Sequence, residues 1–311
     1  MTLRKKIIKV AAITMLVILV LLTGAGFYIL NYSLAPADNR AEVDSAFVRL
    51  YENYPETKAW TDSLNRFNAL RDTFVVMPSG ERHHAFYIDN GSRSTALVIH
   101  GWRNSAIDFF YLGRIYDKEL GYNVVMPDLH GHGQSDGDAI RMGWLDRLDM
   151  LKWLSLFDAD TLVVHGVSMG GATTMMMSGD ELPAGVKDIR FIDDCGYTSV
   201  WDEFKGELKN QFGLPAFPLL DAASLLCGIC HGWTFKEASA LEQVKLCKRP
   251  MLFIHGDNDK FVPTEMVHRL YAAKPQPKEL WITSDTEHAL SYKNYRDEYI
   301  RKVKEFCRKQ F

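Results

Sequence analysis

Residues 163–171, Val163-Val164-His165-Gly166-Val167-Ser168-Met169-Gly170-Gly171, set one serine between two glycines directly after an apolar run. A G-x-S-x-G match alone is weak, since glycine and serine frequencies produce it by chance in about one chain of this length in ten. Its surroundings carry more weight. Leu162-Val163-Val164 reads as a buried strand and Ala172–Met177 as a helix, so the serine falls on a strand-turn-helix corner. At such a corner Gly166 and Gly170 leave room for neighbouring backbone, and Ser168 is held with its hydroxyl exposed.

Similar apolar runs recur outward from that corner. Ala96–Ile99, Val124–Met126, Ile189–Ile192, Met251–Ile254 and Glu279–Ile282 are short, apolar on both faces and separated by helix-compatible stretches. This pattern predicts an α/β fold with a mostly parallel sheet covered on both sides. Phe74–Met77 and Ala85–Ile88, separated by Pro78-Ser79-Gly80-Glu81, read as a strand pair with a turn. The runs end in polar turns, where ligands of such sheets bind. Residues 197–244 leave too much chain for one crossover helix and predict a helical, lid-like insertion or pocket wall, with two plain packing helices as the alternative.

A serine hydroxyl needs a base, and at this kind of corner the partners follow in the order acid, then histidine. Asp259 follows the Met251–Ile254 run, and His288 follows the Glu279–Ile282 run. Asp257, Asp193 and Asp194 also stand at strand ends and compete for the acid's role, Asp257 being equally suited to satisfying its own turn. His165 and His255 read as packed imidazoles. His130 and His132, spaced i and i+2 without a third ligand in pattern, point to no metal.

These blocks together resemble the α/β-hydrolase superfamily, and more narrowly its membrane-anchored or exported serine hydrolases. The similarity covers about residue 71 to the C-terminus. It rests on Gly166-Val167-Ser168-Met169-Gly170, His100-Gly101-Trp102, Asp128-Leu129-His130-Gly131-His132-Gly133-Gln134-Ser135, His255-Gly256-Asp257-Asn258-Asp259-Lys260-Phe261-Val262-Pro263 and Glu287-His288. The resemblance implies a central sheet of about eight strands, Ser168 as nucleophile, Asp259 as acid and His288 as base. It implies an oxyanion hole from the backbone N–H groups of Trp102 and Met169 and no cofactor. The implied reaction is hydrolysis of an ester or thioester on a small-molecule, acyl or peptidyl substrate. Peptidase or amidase action on the same triad is the alternative, and a non-catalytic membrane-tethered binding protein is a third reading.

Arg4, Lys5, Lys6 and Lys9 precede 21 uncharged residues, Val10–Leu30, which as a helix span about 31 Å, near the thickness of a bilayer core. We read residues 1–31 as an uncleaved anchor, or else a signal segment cut near Ala35-Pro36-Ala37. The basic flank puts the catalytic domain outside the cytoplasm, secreted or periplasmic if the segment is cut. Residues 32–70, with Pro55 interrupting helical spacing, form a connector of two short helices, and residues 71–311 the catalytic domain. A net charge of -3 with 24% charged residues gives no footprint for nucleic acid. Five cysteines cannot all pair within one chain, and packed thiols or one bridge are expected of them.

Overall fold

The computed structural model describes residues 3–37 and 42–311. Its eight strands are β1 Leu70–Val76, β2 Arg82–Ile88, β3 Ser94–Ile99, β4 Asn123–Pro127, β5 Thr161–Val167, β6 Asp188–Asp194, β7 Met251–Gly256 and β8 Lys278–Thr283. They form one sheet in the order β1-β2-β4-β3-β5-β6-β7-β8. β1 and β2 pair antiparallel, β2 joins β4 antiparallel, and every later pairing is parallel. Every strand expected from the apolar runs is therefore present, and the sheet is mostly parallel, as predicted.

The strand sequences explain their double burial. Leu97 and Ile99 of β3 enter one core cluster with Leu162 and Val164 of β5, while Ala96 and Val98 enter the other with Val163. Successive side chains of a strand point to opposite faces, so a run apolar at every position needs cover on both sides. That cover comes from the helices. α1 spans Leu3–Leu34, α2 Val43–Asn53, α3 Glu56–Arg66, α4 Phe110–Arg114, α5 Asp146–Leu154 and α6 Met169–Met177. α7 spans Val200–Phe212, α8 Leu219–His231, α9 Ala240–Val244, α10 Glu265–Ala273, α11 Ser291–Asn294 and α12 Arg296–Arg308. Pro55 separates α2 from α3, and Trp60 of α3 is locked by its indole N–H donating to Asp117 Oδ2 at 2.7 Å. The segment 197–244 folds into three helices, α7, α8 and α9.

The N-terminal segment differs from its expected outline. α1 is long and apolar enough to cross a membrane, and its most apolar window is fully exposed. It does not stop at residue 31. It runs unbroken to Leu34, and Gly26, Leu30 and Leu34 are buried against the domain. A Cβ on Gly26 would come within 2.7 Å of Leu226 Cδ1 and 3.4 Å of Ala223 N, so the absence of a side chain is what lets α1 lie close on α8. The stretch Ala35-Pro36-Ala37 is also tied down, its Ala37 N–H donating to Gly131 O at 3.0 Å. All five cysteines are free thiols; Cys227 and Cys230 share α8, the first buried and the second exposed.

Candidate active site

Ser168 sits at the joint between β5 and α6 with φ 57° and ψ -118°, a backbone conformation unusual for a residue with a side chain. The two glycines are required by contact. A Cβ on Gly166 would fall 2.0 Å from Gly170 O, and one on Gly170 would fall 2.2 Å from Ile99 O. The strain at Ser168 is held by its own N–H donating to Asp194 O at 2.8 Å, while Ala172 N–H donates back to Ser168 O at 2.9 Å. The turn therefore delivers Ser168 Oγ to the edge of the sheet at the N-terminal end of α6, where the helix dipole favours developing negative charge.

The loops after β7 and β8 bring the acid and the histidine to it. His288 Nε2 lies 2.8 Å from Ser168 Oγ, and His288 Nδ1 lies 2.7 Å from Asp259 Oδ2. With the proton on Nδ1, the imidazole donates to the carboxylate and accepts from the serine hydroxyl. Asp259 Oδ1 also accepts the N–H groups of Phe261 and Val262 at 3.0 and 2.9 Å. Burial pushes the Asp259 carboxyl up, but hydrogen bonds from His255 and His288 outweigh it and hold it at about 2. It is a carboxylate at neutral pH.

The rival acids stand elsewhere. Asp257 accepts from Ser284 Oγ at 3.3 Å and from Thr286 N–H at 3.4 Å, closing its own turn. Asp193 accepts Gly196 N–H at 3.0 Å, and Asp194 accepts the Tyr299 hydroxyl at 2.8 Å. Burial pushes these two carboxyls up, to about 7 and about 6. His165 and His130 are committed to packing. His165 bridges the hydroxyls of Tyr116 and Tyr299, both at 2.9 Å. His130 lies 2.6 Å from Ala139 O and 2.9 Å from Glu81 Oε1. Among the described residues, ligand atoms close enough to share a metal occur in Cys195, Asp259 and His288, but both imidazole nitrogens of His288 already serve Asp259 and Ser168.

The turn after β3 is braced by imidazoles. Leu129 N–H donates to His100 Nε2 at 2.9 Å, and Arg103 N–H donates to His132 Nε2 at 3.2 Å. These bonds hold Trp102 beside Ser168, and both residues line one pocket with Met169, Met142, Tyr197 and Phe261. Asp128 fastens the loop after β4, accepting Ala106 N–H at 2.8 Å and Gln134 N–H at 3.0 Å.

Comparison with known proteins identifies the family and the fold. Residues 96–300 match the model of the "Alpha/beta hydrolase family". The chain belongs to the alpha/beta hydrolase family. As a member of that hydrolase family, it is similar to the uncharacterized protein YqkD of Bacillus subtilis (strain 168), with 29% identity over 81% of this chain and 84% of YqkD. Among solved structures, an esterase of Pyrococcus furiosus shares the fold with a TM-score of 0.60 at 24% identity, covering 78% of this chain and 93% of the esterase. An acylaminoacyl peptidase shares it with a TM-score of 0.58 at 18% identity, covering 78% of this chain and 41% of the peptidase.

Sequence reasoning missed several residues around the site of this alpha/beta hydrolase. His255 Nε2 lies 3.2 Å from Asp259 Oδ2 and 2.9 Å from Val262 O, so the acid is held between two imidazoles. The i, i+4 spacing of His255 and Asp259 was the available signal. The end of α1 also reaches the pocket: Tyr32 and Ser33 line it, and Trp102 Nε1 donates to Ser33 O at 3.0 Å. From α7 come Glu203, Phe204 and Glu207. No periodicity in the sequence pointed to these contacts.

Proposed function

We propose that this chain is a serine hydrolase that cleaves an ester or thioester through an acyl-enzyme on Ser168, with His288 as base and Asp259 as the acid that orients it. The observation carrying the reading is the unbroken relay from Ser168 Oγ through His288 to Asp259, with links of 2.8 and 2.7 Å. His288 Nε2 takes the serine proton as Oγ attacks the carbonyl carbon, and the ionised Asp259 stabilises the imidazolium that forms. The backbone N–H groups of Trp102 and Met169 receive the oxygen that becomes negative, each such donor being worth about 3 kcal/mol in the transition state. His288 then gives the proton to the leaving group, and water repeats the sequence on the acyl-enzyme. The lining residues Trp102, Met142, Met169, Phe204 and Phe261 suit an apolar acyl or aromatic portion of the substrate.

The same reading makes α1 an uncleaved membrane anchor with the catalytic domain outside the cytoplasm. Its support is the burial of Gly26, Leu30 and Leu34 and the bond from Trp102 to Ser33, which tie the helix end to the pocket wall. Carbonate washing of membranes is expected to leave the protein in the pellet with its first residues intact; release of a shortened chain would refute the anchor.

The chemical test is labelling of the full chain by a fluorophosphonate. Wild type is expected to label and Ser168→Ala is not. Equal labelling of both would dismiss Ser168 as nucleophile, and an unlabelled wild type that binds ester without turnover would favour a binding protein. Turnover of acyl esters beside matched aminoacyl amides separates esterase from amidase.

A further inference from the structure

Glu203 of α7 lines the same pocket as Ser168, is only 4% exposed, and has no hydrogen-bond partner for either carboxyl oxygen among the described residues. A buried carboxyl without a partner costs a protein stability, and such a group calls for an explanation. The charges acting on it make this sharper. Those that act on it most are Glu207 and Asp259, both acidic. Burial, followed by these two carboxylates, pushes the Glu203 carboxyl well above the usual range. The same pocket is lined by Tyr32, Trp102, Tyr197, Phe204 and Phe261, aromatic side chains of the kind that attract a positive charge over their ring faces.

We propose that Glu203, backed by Glu207, is the subsite for a primary ammonium group carried by the substrate. The ammonium supplies donors to both carboxyl oxygens, and its charge returns Glu203 to the carboxylate, giving charge-assisted hydrogen bonds. A substrate carboxylate or phosphate would instead meet Glu203 and Glu207 in this part of the pocket. Glu203 is a specificity-determining residue here, since the reacting carbonyl is handled by Ser168, and the inference rests on that nucleophile assignment for its link to turnover.

The test uses the full chain in detergent micelles. On the acyl side, p-nitrophenyl 6-aminohexanoate is compared with p-nitrophenyl heptanoate; on the alcohol side, 6-aminohexyl benzoate is compared with heptyl benzoate. In at least one pair the cationic ester is expected to exceed its neutral twin about tenfold or more in kcat/KM, and Glu203→Gln to cut that ratio to about threefold or less. The pair showing the preference identifies which half of the ester carries the amine. Ratios near one in both wild-type pairs, or a preference that Glu203→Gln leaves unmoved, overturn the proposal. If Glu203→Gln does not fold, Glu207→Gln is read in its place alongside the wild-type ratios, and an unmoved ratio there counts against the subsite. Binding is read separately from turnover in Ser168→Ala by tryptophan fluorescence. There n-hexylammonium is expected to bind at least about tenfold more tightly than hexan-1-ol, and equal affinities would refute the subsite even if no ester were cleaved.

Discussion

The floor and the roof of the pocket are built on different terms. The floor is the strand ends: Ser168, Asp259 and His288 are joined by short hydrogen bonds, and Gly166 and Gly170 are packed so tightly that no side chain fits. The roof is the end of α1 with α7, backed by the α7–α8 turn and α8. It holds the unpartnered Glu203 and exposes Phe212, Phe217, Leu225 and Ile229, with Phe217 76% and Ile229 71% accessible. The floor has the rigidity that charge stabilisation in a transition state demands, because preorganised groups cost no rearrangement at the moment of reaction. The roof leaves polar and apolar surface uncommitted, which is what selecting a substrate requires.

Breaking the floor should have the larger effects. Asp259→Asn is expected to lower ester kcat/KM about 10³- to 10⁴-fold by disturbing the His288 tautomer, whereas Asp257→Asn changes it by about threefold or less. Steady-state kinetics on the two variants decide this, and the reverse ranking would move the acid to Asp257. Gly170→Ala drives a Cβ to 2.2 Å from Ile99 O, so a loss of about 3 kcal/mol or more in urea unfolding is expected, together with loss of fluorophosphonate labelling.

The roof should respond more gently. Gly26→Leu puts its Cβ 2.7 Å from Leu226 Cδ1, and the rest of the new side chain has to find room by turning Leu226 aside or by parting α1 from α8. A fall of about tenfold in kcat/KM with a stability change near 1 kcal/mol is expected. Unchanged turnover in micelles would show that the end of α1 is not part of the working pocket.

The smallest effect concerns a buried acid beneath the floor. The Asp193 carboxyl, pushed up to about 7 by burial, binds its proton more tightly in the folded chain than in the unfolded one. The stability this contributes is complete below about pH 4 and declines as pH rises towards 7. Asp193→Asn does not titrate, so it should be more stable than wild type at pH 8, with the gap closing near pH 4. Thermal unfolding at the two pH values measures the difference, and a gap that stays constant would refute the account.

Legibility in the sequence followed the same division. β3, β4, β5, β6, β7 and β8 could be read because strands covered on both faces are apolar at consecutive positions, and such runs are short and bounded by turns. Ser168, Asp259 and His288 could be picked out as candidates because each lies in the turn that follows one of those runs. The role of His255 was harder to see, because its apolar neighbours Ile254 and Phe253 made it look like any imidazole closing a strand. Glu203 was invisible: on α7 it sits among Asp202, Lys205 and Glu207, a charge pattern that normally means a solvated helix face, and only packing shows it buried. α1 was legible as a membrane-length helix from its composition, but its continuation past residue 31 was not, since Asn31, Tyr32 and Ser33 are weak helix formers held by contacts with Trp102 and Arg103.

What the sequence determined by itself is local. Runs of apolar residues set the strands, and the glycine at 166 is kept bare by Gly170 O four residues on, because both signals act between near neighbours; Gly170 itself is kept bare by Ile99 O on another strand. What only the tertiary structure decided is convergence. Ser168 meets a histidine 120 residues later, and Trp102 meets a carbonyl 69 residues earlier at the end of α1. An acid on α7 that the sequence presents as surface is turned inward over the serine. Such meetings depend on how the sheet stacks its strands and how the helices close over it, and no window of neighbouring residues carries that information.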